Sequence, residues 1–270
     1  VEGDDGTLAC KNKPESSSFA VLWVLKTQAE RDAIVAQKAV AQIEAIAKAA
    51  DITLADGDKM AQFTEALKAF TEEDATELVS NPTLAESQDG WTVNVLSGLN
   101  NIAYKASYPM TLYQNSAMEI SQVVEVPNGI YKATIQNTYR SSKRETLTNY
   151  AEKDGLSICN AYFAANDNQA QAVEWSKIRT SSTLPYSRGD FDNFTTNPKY
   201  TTTVWAYVND GKLTLKYAVP ALNNTGGVYD LDWFTFANVK LTRYYKASVV
   251  VDDERFDLYN EYANQSSDPS

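Results

Sequence analysis

Acid–base chemistry in this chain falls to carboxylates, because its 270 residues include no histidine. That absence removes Ser-His-Asp-type triads, His-ligated zinc and imidazole general acid–base catalysis together. The candidates left are Asp190, Asp192, Asp230 and Asp232. A glycosidase needs two such groups about 5 to 10 Å apart, one of them in surroundings that raise its pKa. None of the four sits in a recognisable motif, and no phosphate loop, GxGxxG or GxSxG occurs. A binding protein, not an enzyme, is the expectation; a carboxylate-dependent glycosidase is the weaker alternative.

The second chemistry is recognition. Tyr104, Arg140, Arg144, Tyr186, Arg188, Asp190, Asn223, Asn224, Tyr229 and Asp230 fall in stretches that lack helix or strand periodicity. Aromatic rings that stack on the C–H face of a pyranose, beside Asn, Asp and Arg groups that pair with vicinal hydroxyls, are what sugar binding requires. The same residue types also make turns and solubilise loops, so the argument rests on their being brought together. A structural calcium ion is the one cofactor worth weighing, since Asp190 and Asp192 with Asp230 and Asp232 supply hard oxygens. Their spacing is not that of an EF-hand loop, and no cofactor is expected.

The elements that must position these residues are legible around the stretch from Tyr200 to Tyr244. From Thr202 to Val208, Val204, Ala206 and Val208 alternate with Thr203, Trp205 and Tyr207, the pattern of a half-buried strand. Asp210-Gly211 predicts a type I′ hairpin into a second strand, where Leu213, Leu215 and Tyr217 alternate with Thr214 and Lys216. Six further strands are predicted at roughly Gly90–Leu96, Ala117–Val126, Ile130–Tyr139, Leu156–Ala165, Ala172–Ile178 and Asp232–Thr242. Trp91, Trp205 and Trp233 read as packing residues.

Upstream the period changes. Ala29, Ala33, Ala36, Val40, Ile43, Ala47 and Ala50 form a small-residue helical seam, and Met60, Phe63, Leu67 and Phe70 repeat the spacing with large residues. Large against small predicts a helical hairpin over 19–80, with a last helical turn at Thr71–Ser80 that ends at Asn81-Pro82. Residues 1–18 read as a disordered arm, 81–245 as the β domain and 246–270 as a tail.

Several pieces together resemble a known family. The hairpin VNDGKLTL at 208–215 and the closing strand D-W-F-x-F-x-N-V-x-L from Asp232 to Leu241 are similar to the galactose-binding-like, carbohydrate-binding-module-like jelly-roll β-sandwich of secreted and surface proteins of gut anaerobes. In matching order come LVSNPTL before Gly90-Trp91-Thr92, Ile120-Ser121-Gln122 before Pro127-Asn128-Gly129-Ile130-Tyr131, and Ala161-Tyr162-Phe163-Ala164-Ala165-Asn166. The resemblance covers roughly Asn81 to Tyr244. It implies an α+β multidomain chain, an N-terminal helical hairpin followed by an antiparallel sandwich, and a glycan or polysaccharide as partner. Ala237 stands where the family commonly has Asp, so no role tied to that acid carries over. A structural or adhesive module that contacts another surface protein is the second reading.

In such a sandwich the connections alternate between two ends. Pro127–Gly129, Asn166–Gln171 and Asn209–Gly211 fall at one end, all short. Ser97–Ser116, Arg140–Gly155, Arg179–Tyr200 and Pro220–Leu231 fall at the other, all long, and they carry the recognition residues. Long connections gathered at one end are a usual way for a sandwich to build a site.

A net charge of -11 and a pI near 4.6 argue against nucleic acid as a partner. No apolar run approaches the roughly 20 residues of a membrane span. The expected location is extracellular, cell-surface or periplasmic, with a signal peptide already removed. Cys10 and Cys159 lack zinc-ligand spacing; two unpaired thiols is the first reading and a disulfide the second.

Overall fold

The computed structural model describes residues 28–84, 87–98, 102–105, 108–140, 161–174, 197–219 and 231–246. Two compact units divide the chain, 1–34 and 35–270; the first holds the opening turns of one helix and the second the remaining elements. The helices are α1 (Gln28–Ala49) and α2 (Lys59–Leu67). Among the described residues ten strands follow: β1 (Thr71–Asp74), β2 (Thr92–Gly98), β3 (Ile102–Lys105), β4 (Tyr108–Glu125), β5 (Gly129–Arg140), β6 (Tyr162–Ala165), β7 (Asn168–Gln171), β8 (Thr201–Val208), β9 (Lys212–Val219) and β10 (Leu231–Tyr245). No helix among the described residues is long and apolar enough to cross a membrane.

All ten strands join one antiparallel sheet, in the order β7-β6-β9-β4-β10-β5-β8, with β2 and β3 on β4 and β1 on β10. The long strand β4 makes this sheet two-layered. Along one flank it pairs β3 and then β2; along the other its first half pairs β10 and its second half β9. One layer is therefore β2, the second half of β4, β9, β6 and β7. The other is β3, the first half of β4, β10, β5 and β8. The arrangement is sandwich-like, and its inner faces carry the main core, including Met118, Ile120, Tyr131, Ile135, Phe163, Val204, Leu215, Tyr217, Phe234 and Phe236.

Strand patterning explains these layers. In β8, Thr202, Val204, Ala206 and Val208 are buried while Thr201, Thr203, Trp205 and Tyr207 are only half-buried, which is the predicted alternation. The hairpin predicted after it does not form: β8 pairs with β5 whereas β9 pairs with β4 and β6, so Asn209, Asp210 and Gly211 carry the chain from one layer to the other, with Gly211 alone at a left-handed φ of 78°.

Trp205 and Tyr207 face outward and are covered there by helix. They pack with Ile43, Ile46 and Ala47 of α1, Phe63 and Leu67 of α2, Ile130 and Tyr244. Phe63 meets Trp205 edge-on at 5.2 Å. Asp58 caps α2 by accepting from the Ala61 amide at 3.0 Å, and Lys59 pairs with Glu44 at 3.4 Å. Of the predicted small-residue seam, Ile43 and Ala47 are buried but Val40 is 37% exposed. At the open edge of β7 the Gln42 side chain acts as a substitute strand: its Nε2 donates to the Gln169 carbonyl at 3.1 Å and its Oε1 accepts from the Gln169 amide at 3.2 Å.

Three segments depart from the sequence expectation. Thr71–Asp74 is a strand paired with Thr242–Tyr245, not helix; only a short 3₁₀ turn, Thr76–Leu78, follows. The Ser97–Ser116 stretch is largely strand, because β2 and β3 run along β4 with Pro109 at its second position, where a missing N–H is tolerated. Asn168–Gln171, expected as part of a short link, is a strand, turned by Asn166 with a φ of 52°; of the strand predicted at Ala172–Ile178, residues 175–178 lie outside the described residues.

From β1 the chain crosses back to the second half of β4. Val239 donates to the Pro82 carbonyl at 2.9 Å, beside a bulge where Asn238 has a φ of 49°. Gln122, 7% exposed, then ties the crossing segment down. It accepts from the Ser80 amide at 2.9 Å and donates to the Ser80 and Gly90 carbonyls at 3.0 and 2.8 Å, while Trp91 Nε1 donates to Ser80 at 2.9 Å.

Candidate functional site

Strand register fixes where the long connections leave the sheet. Gly98 and Leu231 both lie opposite Asn115, Val219 lies opposite Met118, and Tyr162 opposite Ala218. Arg140 lies opposite Trp233, and Tyr139 bridges Glu174. The described ends that border residues 99–101, 141–160, 175–196 and 220–230 therefore meet at one end of the two layers. Short turns occupy the other end. There the Gly211 amide donates to Asn128 Oδ1 at 3.1 Å and the Val126 amide to the Gly211 carbonyl at 2.9 Å, which stitches the β4–β5 and β8–β9 turns together.

The floor beneath the first end is polar and fully packed. Asn137, Thr138 and Tyr139 are buried in succession, so both faces of β5 are covered there. Asn137 accepts from the Val173 amide at 2.9 Å and donates to Thr202 Oγ1 at 2.8 Å; that hydroxyl reaches the Gln171 carbonyl at 3.3 Å. These bonds hold residues 171–173 against β5 and β8. They also place Glu174, 3% exposed, at the edge of the connections. Sequence reasoning passed over this carboxylate. Its only signal was a single charge between Val173 and Trp175, inside a run read as strand.

Of the recognition residues, Arg140 closes β5 at this end. Tyr104 belongs to β3, partway down the β3–β4 hairpin and away from the strand ends, because its neighbour Ala103 pairs with Thr111. Arg144, Tyr186, Arg188, Asp190, Asn223, Asn224, Tyr229 and Asp230 lie outside the described residues, as do Asp192, Trp175, Cys10 and Cys159. Among the described residues no group of three potential metal ligands occurs.

The opposite end holds a cleft of about 470 Å³ that sequence reasoning did not anticipate. Its walls come from the end of α1, Phe70, the β4–β5 turn, Tyr207 and the last residues of β10. Arg243 helps to build it. Nη1 meets Glu73 at 3.2 Å, Nε and Nη2 donate to the Asn128 carbonyl at 3.1 and 2.8 Å, and the guanidinium lies 4.2 Å from the Tyr245 ring centre. Lys246 sits 5.4 Å over Phe70. Burial pushes the Tyr244 hydroxyl above its ordinary pKa, with Glu72 adding to the effect.

No protein-family model matches the chain, and no curated protein is similar to it. Among solved structures, TmCBM61 in complex with β-1,4-galactotriose is 14% identical, with 62% of this chain and 97% of that one covered at a TM-score of 0.35. A family 35 carbohydrate binding module from Clostridium thermocellum is 12% identical, with 64% and 97% covered at 0.30. A cyclase from Fischerella sp. TAU is 13% identical, with 64% and 97% covered at 0.33. These likenesses include sugar binders and an enzyme alike, so the functional reading rests on the chain's own residues.

Proposed function

We propose that this chain is a non-catalytic carbohydrate-binding protein, exported to the cell surface or beyond, whose galactose-binding-like jelly roll holds glycan at the end where the long connections emerge. The supporting observation is the register. It brings Gly98, Arg140, Glu174, Val219 and Leu231 to one end, and the segments between them carry Arg144, Tyr186, Arg188, Asp190, Asn223, Asn224, Tyr229 and Asp230. Rings and hydroxyl-pairing groups on separate connections then converge on one ligand. Binding of a single short glycan falls in the millimolar to micromolar range, about -4 to -8 kcal/mol.

A glycan array on the full chain, followed by titration of Tyr186→Ala and Tyr229→Ala, tests the reading. Each substitution is expected to weaken binding by about 1 to 3 kcal/mol while the melting temperature holds. Unchanged affinity in both variants, or release of reducing ends from the bound polysaccharide, rejects it. A silent array together with capture of a surface protein would favour the adhesive reading.

A further inference from the structure

We propose that the cleft at the short-turn end is a second binding site, separate from the long-connection end, and that it takes a neutral saccharide. Its volume of about 470 Å³ lies within the ~300–1,000 Å³ of small-ligand sites. Charge decides the ligand class. Arg243 is neutralised by Glu73 and gives two further N–H groups to the Asn128 carbonyl, which leaves Asp51 and Lys246 as the other charged groups lining the cleft. Among the described residues neither has an ionic partner. The Asp51 carboxylate and the Lys246 ammonium cancel, and Glu72 beside Tyr244 adds a negative charge, so the cleft offers no positive field to hold a phosphate or a uronate.

What it does offer is hydrogen bonding beside aromatic faces. The Asp51 carboxylate accepts only, Lys246 and the Asn128 amide nitrogen donate, and the Tyr207 hydroxyl does either. Tyr207 and Phe70 line the same space, the Phe70 ring with Lys246 5.4 Å over it. A ligand that has alternating hydroxyls on its rim and a C–H face satisfies all of these at once. The site is also preformed, because Asp51 is set in a left-handed conformation, φ 55°, at the end of α1, and the Asn128 backbone is clamped by Arg243. Ligand binding then orders little new structure.

Isotope-labelled full-length chain, carrying Tyr186→Ala and Tyr229→Ala to silence the other end, tests this by amide NMR against cello-, xylo-, manno- and galacto-oligosaccharides and an oligogalacturonate. At least one neutral oligosaccharide is expected to shift the Ala50, Gly129 and Tyr207 amides saturably. Adding Asp51→Asn and Lys246→Met should weaken that binding at least tenfold with an unchanged melting temperature, since both side chains are exposed and Asn tolerates the left-handed backbone. Failure of all neutral probes, a response to oligogalacturonate alone, or equal affinity in the added variant overturns the proposal. Because the amides read line this cleft and not the other end, these outcomes stay separable from the glycan site proposed there.

Discussion

The rings of Tyr217 and Phe236 stack with centroids 5.0 Å apart and planes 5° from parallel. Yet the β4 residues they pair with, Ile120 and Met110, are ten positions apart along the strand, about 33 Å if it ran straight. The contact is possible only because β4 folds over between its two halves. Phe234 joins the stack at 5.3 Å from Tyr217, so three rings close the space between the layers directly under the end where the long connections emerge.

Truncating that stack should be costly. Phe236→Ala, at a fully buried position, is expected to lower stability by about 3–5 kcal/mol in urea denaturation, and Phe236→Leu by clearly less. A loss under 1 kcal/mol for the alanine variant would mean that the layers do not meet through these rings.

Gly90 carries a different constraint. Its φ is +80°, and a Cβ there would come within 2.5 Å of the Ser80 Cβ. Gly90→Ala should cost about 1–2 kcal/mol for the left-handed backbone alone, with more from displacing the segment that Gln122 holds. Ser80→Gly in the same chain should recover the steric part and leave the backbone part. Equal melting temperatures for Gly90→Ala and wild type would refute the close approach.

Alkaline pH should weaken the fold through Tyr131. It is fully buried, its hydroxyl donates to the Pro127 carbonyl, and burial pushes its pKa up to about 12, with nearby Arg243 opposing. An unfolded tyrosine ionises near 10, so below that pH both states keep the proton and this contribution is intact. Between pH 10 and 12 the unfolded chain gives up its proton first. Stability then falls by an amount on the order of 2–3 kcal/mol across the window. Denaturation midpoints from pH 9 to 11.5 should show this decline, and Tyr131→Phe should flatten it. An equal slope in the variant would assign the loss to other groups.

How far the sequence discloses this fold depends on whether side chains or tertiary partners set each element. Thr201–Val208 and Lys212–Val219 are strands over the predicted spans, because every second residue there is buried. Thr71–Asp74 gave no such signal. Its side chains Thr71, Glu72, Glu73 and Asp74 are all exposed, so it shows no alternation, and backbone pairing with β10 together with the Glu73–Arg243 ion pair makes it a strand. Pro109 and the polar Asn100-Asn101 disguised the β3–β4 hairpin as a loop. The meeting at one end of the strand ends that border 141–160, 175–196 and 220–230 was legible from strand alternation and loop length, whereas the fourth expected connection, Ser97–Ser116, is largely strand. The cleft was not legible, because Asp51, Tyr207 and Lys246 are far apart in sequence and meet only through the packing of α1 on the sheet.

The Gln42 pairing with Gln169 bears on how this protein can meet its neighbours. A sheet margin with free amides and carbonyls invites another chain to add a strand, and such growth has no natural stopping point. Here a glutamine from a helix already occupies the hydrogen-bonding positions of the β7 margin. The β1 margin bears Glu72, Glu73 and Asp74, all exposed, which repel a second copy of themselves. Association through the backbone is thus discouraged at these two margins, while β2, β3 and β8 border their layers elsewhere.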